Sequence, residues 1–121
     1  MTSAHTFSAK GMAKLSCQVR YAPEAQRDMD EVWNGVLEAS KEIETATRYA
    51  EDFADKIAEK KVFPHSGIPL LYRGLFTGFY SVNFKAYKAF YRVMEDYIEV
   101  LRIIPANRDY MRILFGESEQ D

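Results

Sequence analysis

Between residues 63 and 69 the chain reads FPHSGIP, two prolines and a glycine in seven positions, and the hydrophobic period differs on its two sides. Proline fixes φ and removes a backbone donor, so neither a helix nor a central strand runs through such a cluster. Before it, apolar residues recur at steps of three and four: Ala25, Met29, Val32, Trp33 and Val36, then Ile43, Ala46, Ala50, Phe53 and Ile57. After it come short runs of strand formers, FYSVNF (79–84), YKAFYRVM (87–94) and YIEVLRII (97–104). A helical period gives way to strand patterning, so the two halves must build different layers.

The first half predicts two helices. Pro23 suits a first helical turn, where its missing N–H costs nothing, and Glu24 and Asp28 complement the positive end of the helix dipole. Ala22 is a poor cap by comparison with Ser or Asp. The second stripe, broadened by Tyr49 beside Phe53, follows after a short polar link, so the two read as an antiparallel helical hairpin. Trp33 on the first stripe reads as core. Upstream, LSCQVRY (15–21) alternates apolar and polar, a strand with Leu15, Cys17, Val19 and Tyr21 on one face. Downstream, only Glu95 and Asp96 separate two strand patterns, which is hairpin spacing without the favoured glycine. Pro105 ends the last strand at Ile104 by biasing it towards extended geometry, and YMRILF suggests a final short helix.

The expected fold is therefore α+β: a helical hairpin packed on one face of a small twisted, mainly antiparallel sheet, in the order β-α-α-β-β-β. Residues 1–14 read as a disordered lead-in, 15–115 as one domain and 116–121 as a mobile acidic tail. Met12 is an alternative start. A chain of 121 residues fits a single core.

Composition narrows the function classes. A net charge of −2 argues against general nucleic-acid coating. Between residues 72 and 112, however, seven cations face four anions, which leaves a local cationic face. A single cysteine, Cys17, permits no internal disulfide and fits a reducing, cytoplasmic setting. No apolar run approaches the about 18 residues of a membrane span, and no signal-peptide core opens the chain. His5 and His65 lack partners at ligand spacing, so neither a metal nor another cofactor is expected.

The element order, with YAPEAQRDMDEV opening the first helix, FPHSGIP after the second, YKAFYRV on a central strand and RIIPANRDY closing the last, resembles the RelE/ParE superfamily of bacterial type II toxins. The likeness spans about residues 15 to 115. It implies a small growth-inhibiting toxin of a plasmid stabilization type of system, held in check by an antitoxin protein. RelE-like members cleave mRNA on the ribosome, whereas ParE-like members inhibit DNA gyrase without nuclease chemistry.

The branch turns on a few residues. RelE-like members carry an arginine in a Tyr-Arg-x-x-Tyr strand context; here YKAFY places Lys88 there, and a lysine cannot grip phosphate bidentately. Arg108 matches a second arginine after the last strand. The C-terminal tyrosine is missing: Leu114 stands at its distance and Tyr110 comes too soon. The RDYMRIL ending resembles the ParE-like pattern, and the balance favours a gyrase poison over a ribonuclease acting on the ribosome and mRNA.

As a ribonuclease the chain would be metal-independent, with Lys88 and Lys85 stabilising the phosphate or, with a depressed pKa, one acting as base. Arg108 would bind the nonbridging oxygens and Tyr110 would stack or donate a proton. As a binder it would use Arg92, Arg108, Tyr110 and Arg112, with the last turn and the helical hairpin as contact surface. The plainer alternatives are solvated strand-edge lysines, an Arg108–Asp109 ion pair that fixes a loop, and Tyr87 and Tyr91 as sheet residues. An antitoxin segment, acidic and amphipathic, is expected over Lys88 or Arg108, or across the helical hairpin at 24–60.

Overall fold

The structure, a computed structural model, describes residues 18–116. Within these, β1 (Gln18–Tyr21) leads into α1 (Pro23–Ser40) and α2 (Ile43–Ala58). Two short 3-10 turns, Glu59–Lys61 and Pro64–Ser66, carry the chain past the proline cluster. Then come β2 (Ile68–Tyr72), β3 (Leu75–Phe84), β4 (Tyr87–Val93), β5 (Tyr97–Pro105) and α3 (Tyr110–Phe115). The expected order is present, with β2 added directly after the proline cluster. Leu15, Cys17, the lead-in 1–14 and all of the tail after Gly116 lie outside the described residues.

The five strands form one sheet in the order β1-β5-β4-β3-β2. Only the β1–β5 pair is parallel; the others are antiparallel. The first strand thus lies beside the last, and the α1–α2 hairpin covers one face of the sheet across β5, β4 and β3. Ala25 and Val32 from α1 and Phe53 and Ile57 from α2 bury against Val82, Ala89, Tyr91, Ile98, Val100 and Ile103. Phe53 stacks on Phe84 with ring centroids 4.8 Å apart, and Tyr49 meets Phe84 edge-on at 5.3 Å. Each large side chain buried in this way contributes about 1.5–3 kcal/mol relative to exposure. Trp33 is half-buried between the helices, where its Nε1–H donates to Thr47 Oγ1 at 3.1 Å.

The opposite face is covered as well. Leu70, Phe90 and Ile104 bury there against Met111 of α3, with Tyr110, Ile113, Leu114 and Phe115 around them. Alternation along β4 sends Ala89 and Tyr91 to the hairpin and Phe90 to α3, so β4 is buried on both faces. That explains the nearly unbroken apolar reading of its sequence.

The ends of the helices follow from local chemistry. Ala22 caps α1 with no side-chain bond, but Pro23 asks for none and the Ala22 N–H is taken by Val100 O at 2.9 Å. Asp109 caps α3, its carboxylate accepting the Arg112 N–H at 3.2 Å. Gly116 then closes α3 in the left-handed region, φ 82°, with its N–H on Arg112 O.

Candidate functional site

The α3 face of the sheet gathers most of the residues that the sequence singles out. Lys88, Phe90 and Arg92 alternate along β4 and share that face. Lys88 Nζ donates to Asn83 Oδ1 at 2.7 Å and sits 5.8 Å from the centre of the Tyr110 ring. Asn83 is the cross-strand partner of Lys88 on β3, so the lysine is held by the sheet itself. Tyr110, the first residue of α3, tilts against Phe90 at 5.3 Å. Lys88 and Tyr110 therefore meet, with the phenol ring partly buried between cation and core.

The other candidates do not converge on that pair. Lys85 lies in the β3–β4 turn with φ 53°, and its Nζ sits over the rings of Phe84 and Tyr49 at 5.4 and 5.7 Å. Those rings belong to the helical-hairpin face, so Lys85 and Lys88 are divided by the sheet. Arg92 stands two pleats from Lys88, about 13 Å along the strand, and is engaged by Glu99 of β5 through Nε and Nη2, both at 2.9 Å. Arg108 and Arg112 flank the start of α3 and are exposed.

Asp109 does not pair with Arg108. Its carboxylate caps α3 and lies 3.8 Å from the Arg112 guanidinium, one helical turn on. Arg108 is fixed only through its backbone, whose N–H donates to Pro105 O at 3.0 Å. Among the described residues its guanidinium has no ion pair. The turn after Pro105 thus presents one arginine outward and uses the adjacent aspartate to start a helix. Neither a carboxylate nor a histidine bonds Lys88 or Tyr110 among the described residues; the bond at Lys88 is to Asn83 and the ring contact of Tyr110 is to Phe90. Tyr91 is fully buried and Tyr87 half-buried, which makes both sheet residues rather than stacking platforms.

Sequence reasoning missed two fixtures. The Tyr91 hydroxyl donates to Pro64 O at 2.6 Å and accepts the Gly67 N–H at 3.1 Å, pinning the proline cluster to the central strand. Asp28, read only as a dipole partner, reaches β5 to bond Arg102 and the Ile103 N–H. Neither pairing had a local signal, because the partners are far apart in sequence.

Residues 19–110 match the profile of the ParE toxin of the type II toxin–antitoxin system parDE. This chain belongs to the ParE toxin family. The match covers well over half of it, so the RelE/ParE resemblance holds at the level of family, and the chain is a toxin-component protein by membership. Solved structures carry the same fold. A chain of the chromosomal ParDE system from P. aeruginosa superposes with a TM-score of 0.63 at 16% identity, over 76% of this chain and 98% of that one. A chain of the RelBE2 toxin–antitoxin complex from Mycobacterium tuberculosis gives 0.50 at 20% identity, over 77% and 95%. No curated protein sequence matches this ParE-family chain. None of its helices is long and apolar enough to cross a membrane, among the described residues.

Proposed function

We propose that this ParE-family toxin inhibits growth in the cytoplasm by binding and poisoning DNA gyrase, and that a cognate antitoxin neutralises it. The observation that carries the reading is the state of the α3 face. The surface on which a ribonuclease would hold RNA is roofed by Tyr110, Met111, Leu114 and Phe115. Lys88 is tied to Asn83 and lies over Tyr110, Lys85 is on the other side of the sheet, and Arg92 is paired with Glu99. Cleavage of RNA without a metal needs a base, an acid and a cation around one phosphate. These side chains are dispersed instead, and what they leave outward is the cationic rim of Arg108 and Arg112. A rim of that kind suits contact with a protein surface. The antitoxin is supported by the neighbours, whose solved forms are a ParDE system and a RelBE2 toxin–antitoxin complex.

Purified protein added to gyrase and relaxed plasmid should block supercoiling while leaving RNA intact. Absence of inhibition at high micromolar concentration, together with new truncations in a toeprint of translating ribosomes, would overturn this reading in favour of an mRNA endoribonuclease. Cells expressing the chain should filament with DNA-damage signalling, and co-expression of the adjacent open reading frame should restore growth.

A further inference from the structure

Three residues other than glycine have positive φ among the described residues, and each is a lysine or an arginine: Lys41 (63°), Arg73 (54°) and Lys85 (53°). A residue with a Cβ is disfavoured there, and glycine, asparagine and aspartate are the usual occupants. Two of the three have local reasons. Lys41 closes α1 with its N–H on Leu37 O at 2.7 Å, and left-handed residues commonly end helices. Arg73 precedes Gly74 in the β2–β3 turn, and its guanidinium lies 5.1 Å from the centre of the Tyr72 ring.

Lys85 has no comparable reason. Phe84 pairs with Tyr87, so the β3–β4 loop consists of Lys85 and Ala86 alone. Two-residue loops of this kind favour glycine or asparagine where φ is positive. The Lys85 side chain returns little to the fold. It is exposed and makes no ion pair among the described residues. Its Nζ stands 5.4 and 5.7 Å from the centres of the Phe84 and Tyr49 rings, a weak contact for a solvated cation. A residue held in a costly backbone conformation for so small an internal gain points to what its side chain meets outside.

The place of the turn identifies that partner. The Ala86 carbonyl accepts the Ala106 N–H at 2.7 Å, and the Arg108 N–H in turn bonds Pro105 O. The β3–β4 turn and the loop that presents Arg108 are therefore one bonded unit at the same end of the sheet. Chain geometry keeps the Cα atoms of Lys85 and Arg108 within about 17 Å of each other. Lys85 lies towards the helical hairpin, whereas Arg108 and Arg112 flank the start of α3. Neither Lys85 nor Arg108 has a carboxylate partner among the described residues, and Arg112 has only Asp109 at 3.8 Å.

We propose that Lys85 is a third cation of the gyrase-contacting surface, which wraps the end of the sheet from the helical hairpin to α3 and meets an acidic patch on gyrase. The proposal rests on the gyrase reading above and adds to it a residue and a direction of approach. A protein interface of ordinary size spans all three cations, and their like charge selects carboxylates opposite. The left-handed turn keeps a lysine because glycine, which suits the backbone better, carries no charge.

The test measures supercoiling inhibition and thermal melting together on the full chain. Lys85→Gly should melt at or above the wild-type midpoint, because it relieves the left-handed conformation. The same variant should weaken inhibition at least about threefold, as for loss of one exposed charge contact. Lys85→Glu should weaken it by about tenfold or more, and Lys85→Arg should stay within about twofold of wild type. A midpoint lowered by Lys85→Gly would mean that the lysine serves the turn itself and would overturn the proposal. Wild-type inhibition by folded Lys85→Gly and Lys85→Glu would also overturn it, while leaving the gyrase reading standing. Absence of inhibition by the wild-type chain would overturn both. Cleavage of ribosome-bound mRNA that Lys85→Gly abolishes would assign the lysine to a nuclease and overturn the contact with gyrase.

Discussion

Asp28 of α1 and Arg102 of β5, 74 positions apart, form a two-pronged ion pair: Nε to Oδ2 at 2.7 Å and Nη2 to Oδ1 at 3.1 Å. The same carboxylate accepts the Ile103 N–H at 2.9 Å. The reason lies in the sheet. β1 stops at Tyr21, opposite Val100, so the β5 backbone beyond that point has lost its neighbour on that side. Asp28 replaces the missing strand with a side chain and clamps α1 to the sheet. The contact also pushes the Arg102 pKa further up, mainly through its hydrogen bond to Asp28.

Asp28→Ala should therefore lower stability by about 2–3 kcal/mol, since it strands a partly buried cation and an unpaired backbone donor together. Arg102→Ala should cost less, because Asp28 keeps the Ile103 N–H. Urea unfolding midpoints of the two variants check the order; equal losses would mean that the backbone bond contributes nothing.

The hydroxyl of Tyr91 makes a second clamp, and it leaves no room at Gly67. A Cβ built at Gly67 would collide with that hydroxyl and come within 3.0 Å of both Tyr91 Cε1 and Tyr80 Cβ. Gly67→Ala should destabilise by about 2 kcal/mol or more through overpacking. Tyr91→Phe should cost about 1–3 kcal/mol by leaving the Pro64 carbonyl and the Gly67 N–H without that partner. The double variant should lose less than the sum, because removing the hydroxyl relieves part of the collision. Strict additivity in thermal or denaturant melts would refute the shared contact.

These two clamps show where the sequence was silent. The helices, the sheet strands and the proline cluster were legible because period and turn chemistry are local properties of a few neighbouring residues. The short edge strand β2 was not resolved from its sequence IPLLY, where Pro69 argues against a strand and alternation is weak. The candidate site was legible as a set of residue types but not as an arrangement. Nothing in the spacing of Lys85 and Lys88 reveals that a left-handed turn at Lys85 sends the two to opposite faces. Likewise, the sequence offered Arg108 as the ion-pair partner of Asp109, whereas the helix start sets the Asp109 carboxylate against the Arg112 N–H and 3.8 Å from its guanidinium.

Tyr21 gives a pH-dependent prediction. Burial raises its pKa from 10.0 to about 12. The folded state thus holds the proton more tightly than the unfolded state. The resulting stability is fully present below pH 10 and is lost as pH rises through about 12. A shift of that size corresponds to about 2–3 kcal/mol. Wild type minus Tyr21→Phe, compared by denaturant midpoints from pH 9 to 12, should show that difference shrinking across the window. A pH-independent difference would mean that the phenol ionises in the folded state as freely as in the unfolded one.

Arg108, Arg112 and Lys88 separate a gyrase-binding toxin from a ribonuclease. The two arginines are exposed, and among the described residues only Arg112 has a carboxylate neighbour, Asp109 at 3.8 Å. Replacing either by glutamate should change stability by no more than about 0.5 kcal/mol, as is usual for surface positions. If the rim meets a protein partner, charge reversal at each should still weaken gyrase inhibition by about tenfold or more, since it sets like charges against each other. Lys88→Ala removes a cation already bonded to Asn83 and laid over Tyr110, so on this reading inhibition should change less than about threefold. A nuclease using Lys88 to hold the transition-state phosphate would respond in the opposite order, with Lys88→Ala losing roughly 100- to 1000-fold. Supercoiling titrations and growth assays on the three variants in parallel read that order directly. A dominant Lys88 effect with silent arginines would remove the binding mechanism.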